Sequence, residues 1–220
     1  MSITTGILVV LLLLVLAYPA MAAGPELTGQ NIDAINAYNT GADLASQGRY
    51  REALEATDHA LSIQPDFSLA WTQKAGLLVV LGRNEEALNA SDRALEGNAN
   101  ISEAWASRAD ALNNLGRYGE AVNSAEKAVS LDPGLAEGWA NVATAYGHLG
   151  RYSEALEAAE KALEINPSLE AAQSAKKFAT AMMQQTTVPS PSATGSPLSP
   201  VIPLLGAGLV IVAFAARGRK

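Results

Sequence analysis

Imidazole, carboxylate and hydroxyl groups are the side chains that could run acid–base, metal or nucleophilic chemistry in this chain, and their spacing supports none of it. Only His59 and His148 supply imidazole, and they are 89 residues apart. A helical metal site wants a second His, Glu or Asp at i+3 or i+4, where His148 has Arg151 and Tyr152. His148 therefore reads as a groove or surface polar residue, and His59, beside Asp58, as a surface residue. Serines are many, but none shows the strained turn, base and supporting carboxylate that activate a nucleophile. The absence of cysteine removes disulfides, thiolate catalysis, iron–sulfur clusters and Cys-based zinc sites together. No catalytic, cofactor or metal residue is expected, and the chain reads as no enzyme. Asn89-Ala90-Ser91 and Asn100-Ile101-Ser102 fit the N-glycosylation sequon, whereas Asn166-Pro167-Ser168 fails because of its proline.

The charge balance narrows the partners. The chain has 22 acidic and 15 basic residues, but Arg217, Arg219 and Lys220 lie beyond the last apolar run. Everything before them counts 22 against 12, or −10. Binding DNA or RNA wants clustered Lys and Arg to replace counterions around phosphates, so nucleic acid is not an expected partner.

Both ends are apolar. Residues 6–17, GILVVLLLLVLA, precede Ala20-Met21-Ala22, the pattern of a secretory signal cleaved after Ala22. The usual positive start is missing, which leaves a retained N-terminal membrane anchor over residues 1–22 as the other reading. Residues 198–216, LSPVIPLLGAGLVIVAFAA, carry no charge and are just long enough to span a bilayer as a helix. Pro200 and Pro203 would sit at its outer edge. The basic residues 217–220 would stay in the cytoplasm by the positive-inside rule, which places the bulk of the chain outside on either reading of the first segment. Residues 184–197, QQTTVPSPSATGSP, lack the large side chains that could repay ordering and read as a Pro-stiffened linker.

Between these ends a beat of 34 residues governs the sequence. Trp71, Trp105 and Trp139 keep it, as do Leu81-Gly82-Arg83, Leu115-Gly116-Arg117 and Leu149-Gly150-Arg151, then Ala87, Ala121 and Ala155, then Ala94, Ala128 and Ala162. Gly48-Arg49-Tyr50, Ala53, Ala60 and Pro65 extend it one period earlier. Each period resolves into two helices. The first, as in 102–115, stops at a glycine able to take the left-handed conformation of a C-cap. The second, as in 118–131, carries Ala121, Ala125 and Ala128 on one face, where only small side chains allow close helix approach, and Pro133 forbids its continuation. Neither helix could stand alone, so the pairs must stack.

These residues resemble the tetratricopeptide repeat family, whose signature is W-x2-L-G-x2-Y, then A-x3-F-x2-A and a terminal Pro. The units are 34–67, 68–101, 102–135 and 136–169, within a domain spanning 31–183. Unit four matches with Trp139, Tyr146, Gly150, Tyr152, Ala155, Ala162 and Pro167. Unit two departs with Lys74, Asn84 and Ala99 where Leu, an aromatic and Pro are expected, and unit one has Ala37 for Trp. The resemblance implies an all-α, right-handed superhelical solenoid of four helix pairs. A cap helix over 169–183 would follow, with Ala172, Ala175, Phe178, Ala179 and Met182 on one face and Lys176 and Lys177 off it. Asn31 and Asp33 are expected N-caps of the first helix, and the Trp column is expected in the core.

The resemblance further implies that protein or peptide partners bind the concave groove lined by the first helices. Carried over by register, that groove presents Asn39, Gln73, Ser107 and Asn141, then Asp110 and Thr144, then Asn114 and His148. Amides can hold a peptide backbone by its own donors and acceptors. Thr72, Ala106 and Ala140 stand where relatives that clamp an acidic C-terminus use Lys or Arg, which argues against a chaperone-tail receptor. The layout of SPLSP, a short apolar run and an Arg/Lys tail also resembles surface proteins of methanogenic archaea. The expected function is a scaffold for proteins or peptides, single-pass or double-pass in the cell membrane through a C-terminal transmembrane helix, with its repeats extracytoplasmic. A self-associating structural spacer in the envelope is the alternative.

Overall fold

The structure, a computed structural model, describes residues 29–187, with side chains from 32 to 185. The expected signal or anchor, the transmembrane segment 198–216 and the basic tail lie outside the described residues, as does the linker beyond residue 187. Among the described residues no helix is long and apolar enough to cross a membrane.

The described chain is helical throughout, without strands among these residues: α1 (Gly29–Ser46), α2 (Tyr50–Ile63), α3 (Ser68–Val80), α4 (Asn84–Gly97), α5 (Ser102–Asn114), α6 (Tyr118–Leu131), α7 (Ala136–His148), α8 (Tyr152–Ile165) and α9 (Glu170–Thr187). Two elements differ from expectation. Helix α1 starts at Gly29, so Asn31 and Asp33 lie inside it rather than capping it, and α9 runs to Thr187, past the expected end at 183.

The first helix of each unit ends in one repeated device. Gly48, Gly82, Gly116 and Gly150 have φ of 75, 74, 74 and 77°, and the next residue donates its N–H five residues back, as Arg117 does to Leu112 O at 2.9 Å. That 6→1 bond, with Gly116 N to Asn113 O at 3.0 Å, is the Schellman closure. The arginine that follows each glycine then pairs with a Glu in the first turn of the second helix: Arg49 with Glu52, Arg83 with Glu86, Arg117 with Glu120, Arg151 with Glu154.

Packing follows from small side chains. Ala53, Ala87, Ala121 and Ala155 are fully buried, as are Ala60, Ala94, Ala128 and Ala162, which brings the helix backbones together. First helices also touch along the stack, α3 on α5, α5 on α7 and α7 on α9, whereas no two second helices meet among the described residues. An inner row in contact and an outer row apart curve the stack, with its concave face on the first helices.

The tryptophans are packed against this core rather than inside it. All three are half-buried, because each indole N–H donates to a turn carbonyl six residues earlier: Trp71 to Pro65 O at 2.7 Å, Trp105 to Ala99 O and Trp139 to Pro133 O at 2.9 Å. Unit two tolerates its departures for visible reasons. The carbonyl of Ala99 serves as well as that of a proline, and Lys74 pairs with Asp58 at 2.7 Å while lying over Trp71.

Candidate functional site

The side chains of the first helices that point away from the second helices form the concave face. The expected groove residues divide there into three kinds.

The amides of Gln73 and Asn141 tie neighbouring units together. Gln73 Nε2 donates to Tyr38 O at 3.3 Å, and Asn141 Nδ2 to Ala106 O at 3.0 Å, in both cases reaching the first helix of the preceding unit. Gln73 Oε1 also receives the buried Thr57 hydroxyl at 2.7 Å. A Cβ on Gly41 would stand 2.8 Å from Thr57 Oγ1, 2.9 Å from Gln73 Oε1 and 3.1 Å from Ala53 O, so this junction requires glycine there. Ser107 is too short for the same reach and is half-buried opposite Gly76, while Asn39 is exposed at the start of the row.

Asp110 and Asn114 form a polar cluster with Asn84. Asn114 Nδ2 lies 3.3 Å from both Asp110 Oδ1 and Asn84 Oδ1. Burial pushes the Asp110 carboxyl above the usual carboxylate range, opposed by the smaller effect of the Asn114 amide. Asn84 is where the family pattern has an aromatic, and here it serves as an acceptor from the next unit. Thr144 is half-buried and returns its hydroxyl to Ala140 O at 2.9 Å.

His148 belongs to an aromatic group. Its exposed ring stacks on Tyr118, with centroids 4.3 Å apart, and meets Phe178 at 5.5 Å, which in turn sets an edge against Tyr152. Phe178, unlike Ala172, Ala175 and Ala179 on its face of α9, is exposed, and its ring leans over Gly147, where a Cβ would approach it to 3.2 Å. Among the described residues no group of three His, Cys, Asp or Glu could hold a metal ion.

Sequence reasoning missed Asn113. It is buried at 7% exposure, gives its amide to Asn141 O at 3.2 Å, and its Oδ1 receives no hydrogen bond. It also missed that a residue late in one first helix meets the residue 30 positions earlier. Asn114 with Asn84 and His148 with Tyr118 both keep that interval.

A stack of helix pairs with a continuous face on one side is a repeat scaffold. Family models described as tetratricopeptide repeat match residues 38–100, 102–135 and 136–169. The chain is a tetratricopeptide repeat protein. Among solved structures it is similar to a thermophilic TPR protein of Thermus thermophilus, at TM-score 0.59 and 20% identity over 73% of this chain and 93% of that one. It is similar also to MamA from Desulfovibrio magneticus RS-1, at 0.53 and 19% over 72% and 98%. The first TPR domain of the human RPAP3 protein follows, at 0.51 and 19% over 55% and 95%. At these identities the likeness concerns the fold. No curated protein sequence matches the chain. Tetratricopeptide proteins generally act as protein-interaction scaffolds, and the fold is typically non-enzymatic.

Proposed function

We propose that this protein binds an extended segment of a partner protein in the groove of its first helices, and that it does so on the outer side of the cytoplasmic membrane, tethered through residues 198–216. The observation that carries the binding is the make-up of that face. Asp110, Asn114 and Thr144 line it, His148 brings its aromatic neighbours, and exposed Leu69 and Val80, one repeat before Glu103 and Asn114, add apolar surface. Polar groups that fix a backbone beside apolar surface are what a peptide site needs. The sidedness rests on the apolar runs and the basic tail of the sequence.

Two experiments test the two parts. Proximity labelling from the intact membrane protein should yield partners that disappear when Asn39, Ser107, Asp110, Asn114, Thr144 and His148 are replaced together by alanine; an unchanged set would remove the groove from the function. The native chain has no cysteine, so Asn123→Cys on the exposed face of α6 should react with a membrane-impermeant maleimide on intact cells, while Gly218→Cys should react only after lysis. The reverse pattern would place the repeats inside.

A further inference from the structure

The concave face of the third unit carries acceptors that the protein leaves without charged donors. Asp110 has the Asn114 amide as its only hydrogen-bond partner and takes part in no ion pair among the described residues. Three residues along the same helix, Asn113 Oδ1 is a second acceptor without a hydrogen bond, buried where its amide reaches Asn141 O on α7. Glu103, two turns before Asp110 on α5, and Glu137 at the equivalent position of α7 are exposed and likewise outside the ion pairs.

The chain's own cations are turned elsewhere. On the first helices α1, α3, α5 and α7 the only Lys and Arg are Lys74 and Arg108. Lys74 pairs with Asp58 on α2, and Arg108 bonds Asp92 on α4 at 2.8 Å and Ser124 on α6 at 2.7 Å. Both reach toward second helices. A carboxylate held in a half-buried position without a cation costs stability, because burial penalises its charge, and such a cost is retained where a ligand removes it.

We propose that this part of the groove receives a cationic side chain, the arginine or lysine of a partner's extended segment, on the Asp110 carboxylate. The inference rests on the peptide-binding reading above and adds the chemistry of one residue of the ligand. A guanidinium or ammonium is a donor-only group, which suits a site that offers acceptors, and its attraction to Asp110 is strengthened by partial exclusion of water. The exposed carboxylates of Glu103 and Glu137 favour the same charge on approach.

The test compares three pools of fluorescein-labelled octapeptides, with apolar residues around a central arginine, citrulline or glutamate, binding to the full chain in mild detergent. Citrulline keeps the shape of arginine and lacks the charge. The arginine pool should bind at least about tenfold more tightly than the citrulline pool, as expected for a hydrogen bond to a charged group. Asp110→Asn should abolish that difference with an unchanged circular dichroism spectrum, and Glu55→Gln, an exposed acid on α2, should preserve it. Equal binding of the arginine and citrulline pools would overturn the cation while leaving a peptide groove in place. Binding by no pool would overturn both, and a preference that survives in Asp110→Asn would overturn Asp110 as its seat.

Discussion

His148 lies flat on Tyr118, with ring planes within 6° of parallel and centroids 4.3 Å apart. The contact joins the end of α7 to the start of α6, and Phe178 extends it to α9. Removing the ring with His148→Ala should cost about 1 kcal/mol, the scale of one aromatic pair. It should also loosen α9 first, because Phe178 loses the surface it leans on. Hydrogen exchange followed by mass spectrometry checks this; α9 protection equal to that of the native chain would leave the stack without a structural role.

The repeat was legible in the sequence because the 34-residue interval samples positions fixed by local rules. Gly116 needs a positive φ, Ala121 needs closeness, and each Trp needs a turn carbonyl. Links between units were not legible. Gln73 reaches the carbonyl 35 residues back, as Asn141 does, and His148 meets the ring 30 residues back. These offsets depend on how neighbouring first helices slide past each other, which the repeat interval alone leaves open. The row of amides expected to face a ligand thus contains two members whose donors already bridge the stack.

Gln173 stands one interval after Trp139 and makes the same bond, from its side-chain amide to Pro167 O at 2.9 Å. The turn-to-helix tie therefore outlasts the tryptophan. Trp139→Phe keeps most of the ring's packing and loses the tie, so it should lower stability by about 1 kcal/mol in urea unfolding. Trp139→Ala should lose more, by about 3 kcal/mol or above, as buried aromatic surface goes with it.

No atom lies within 4 Å of a Cβ built on Gly116, so what excludes other residues there is its φ of 74°. Gly116→Ala should therefore destabilise by about 1 to 2 kcal/mol, the cost of a left-handed L-residue. Gly116→Asn should recover part of that loss, since Asn tolerates this conformation better. Equal melting temperatures for the alanine variant and the native chain would show that the closure can relax.

Asp110 ties stability to pH. Burial raises its folded pKa above the ordinary value near 3.9, so the folded state holds this proton more tightly than the unfolded state. The resulting stabilisation is present below the ordinary carboxylate range and is lost as pH rises through the raised folded value. Asp110→Asn, neutral at every pH, should melt higher than the native chain at pH about 7, and the gap should close by pH about 3. Calorimetry at the two pH values measures it, and an equal gap at both would remove Asp110 as its source.

The two outer faces of the stack break the pattern that builds its interior. Asn36 and Asp43, both exposed, stand where later units have Ala70, Ala104 and Gly138, and Leu77, Ala111 and Ala145, all buried. At the other end Gln173, Lys177 and Thr180 replace Trp139, Ala143 and Tyr146, whereas Lys176 keeps the interior habit of Lys74 and Arg108 and pairs with an acid 16 residues earlier, Glu160 on α8, at 2.9 Å. Polar terminal faces are how a solenoid ends in water. A spacer that grew end to end would need apolar residues at these positions. The full chain in detergent should therefore show no concentration-dependent association through its ends. Restoring the interior pattern with Gln173→Trp, Lys177→Ala and Thr180→Tyr should create it, because the new apolar face has no helix of its own to cover it. Sedimentation of the native and substituted chains decides the matter: association of the native chain that Lys177→Glu abolishes would show that its ends join despite their charge.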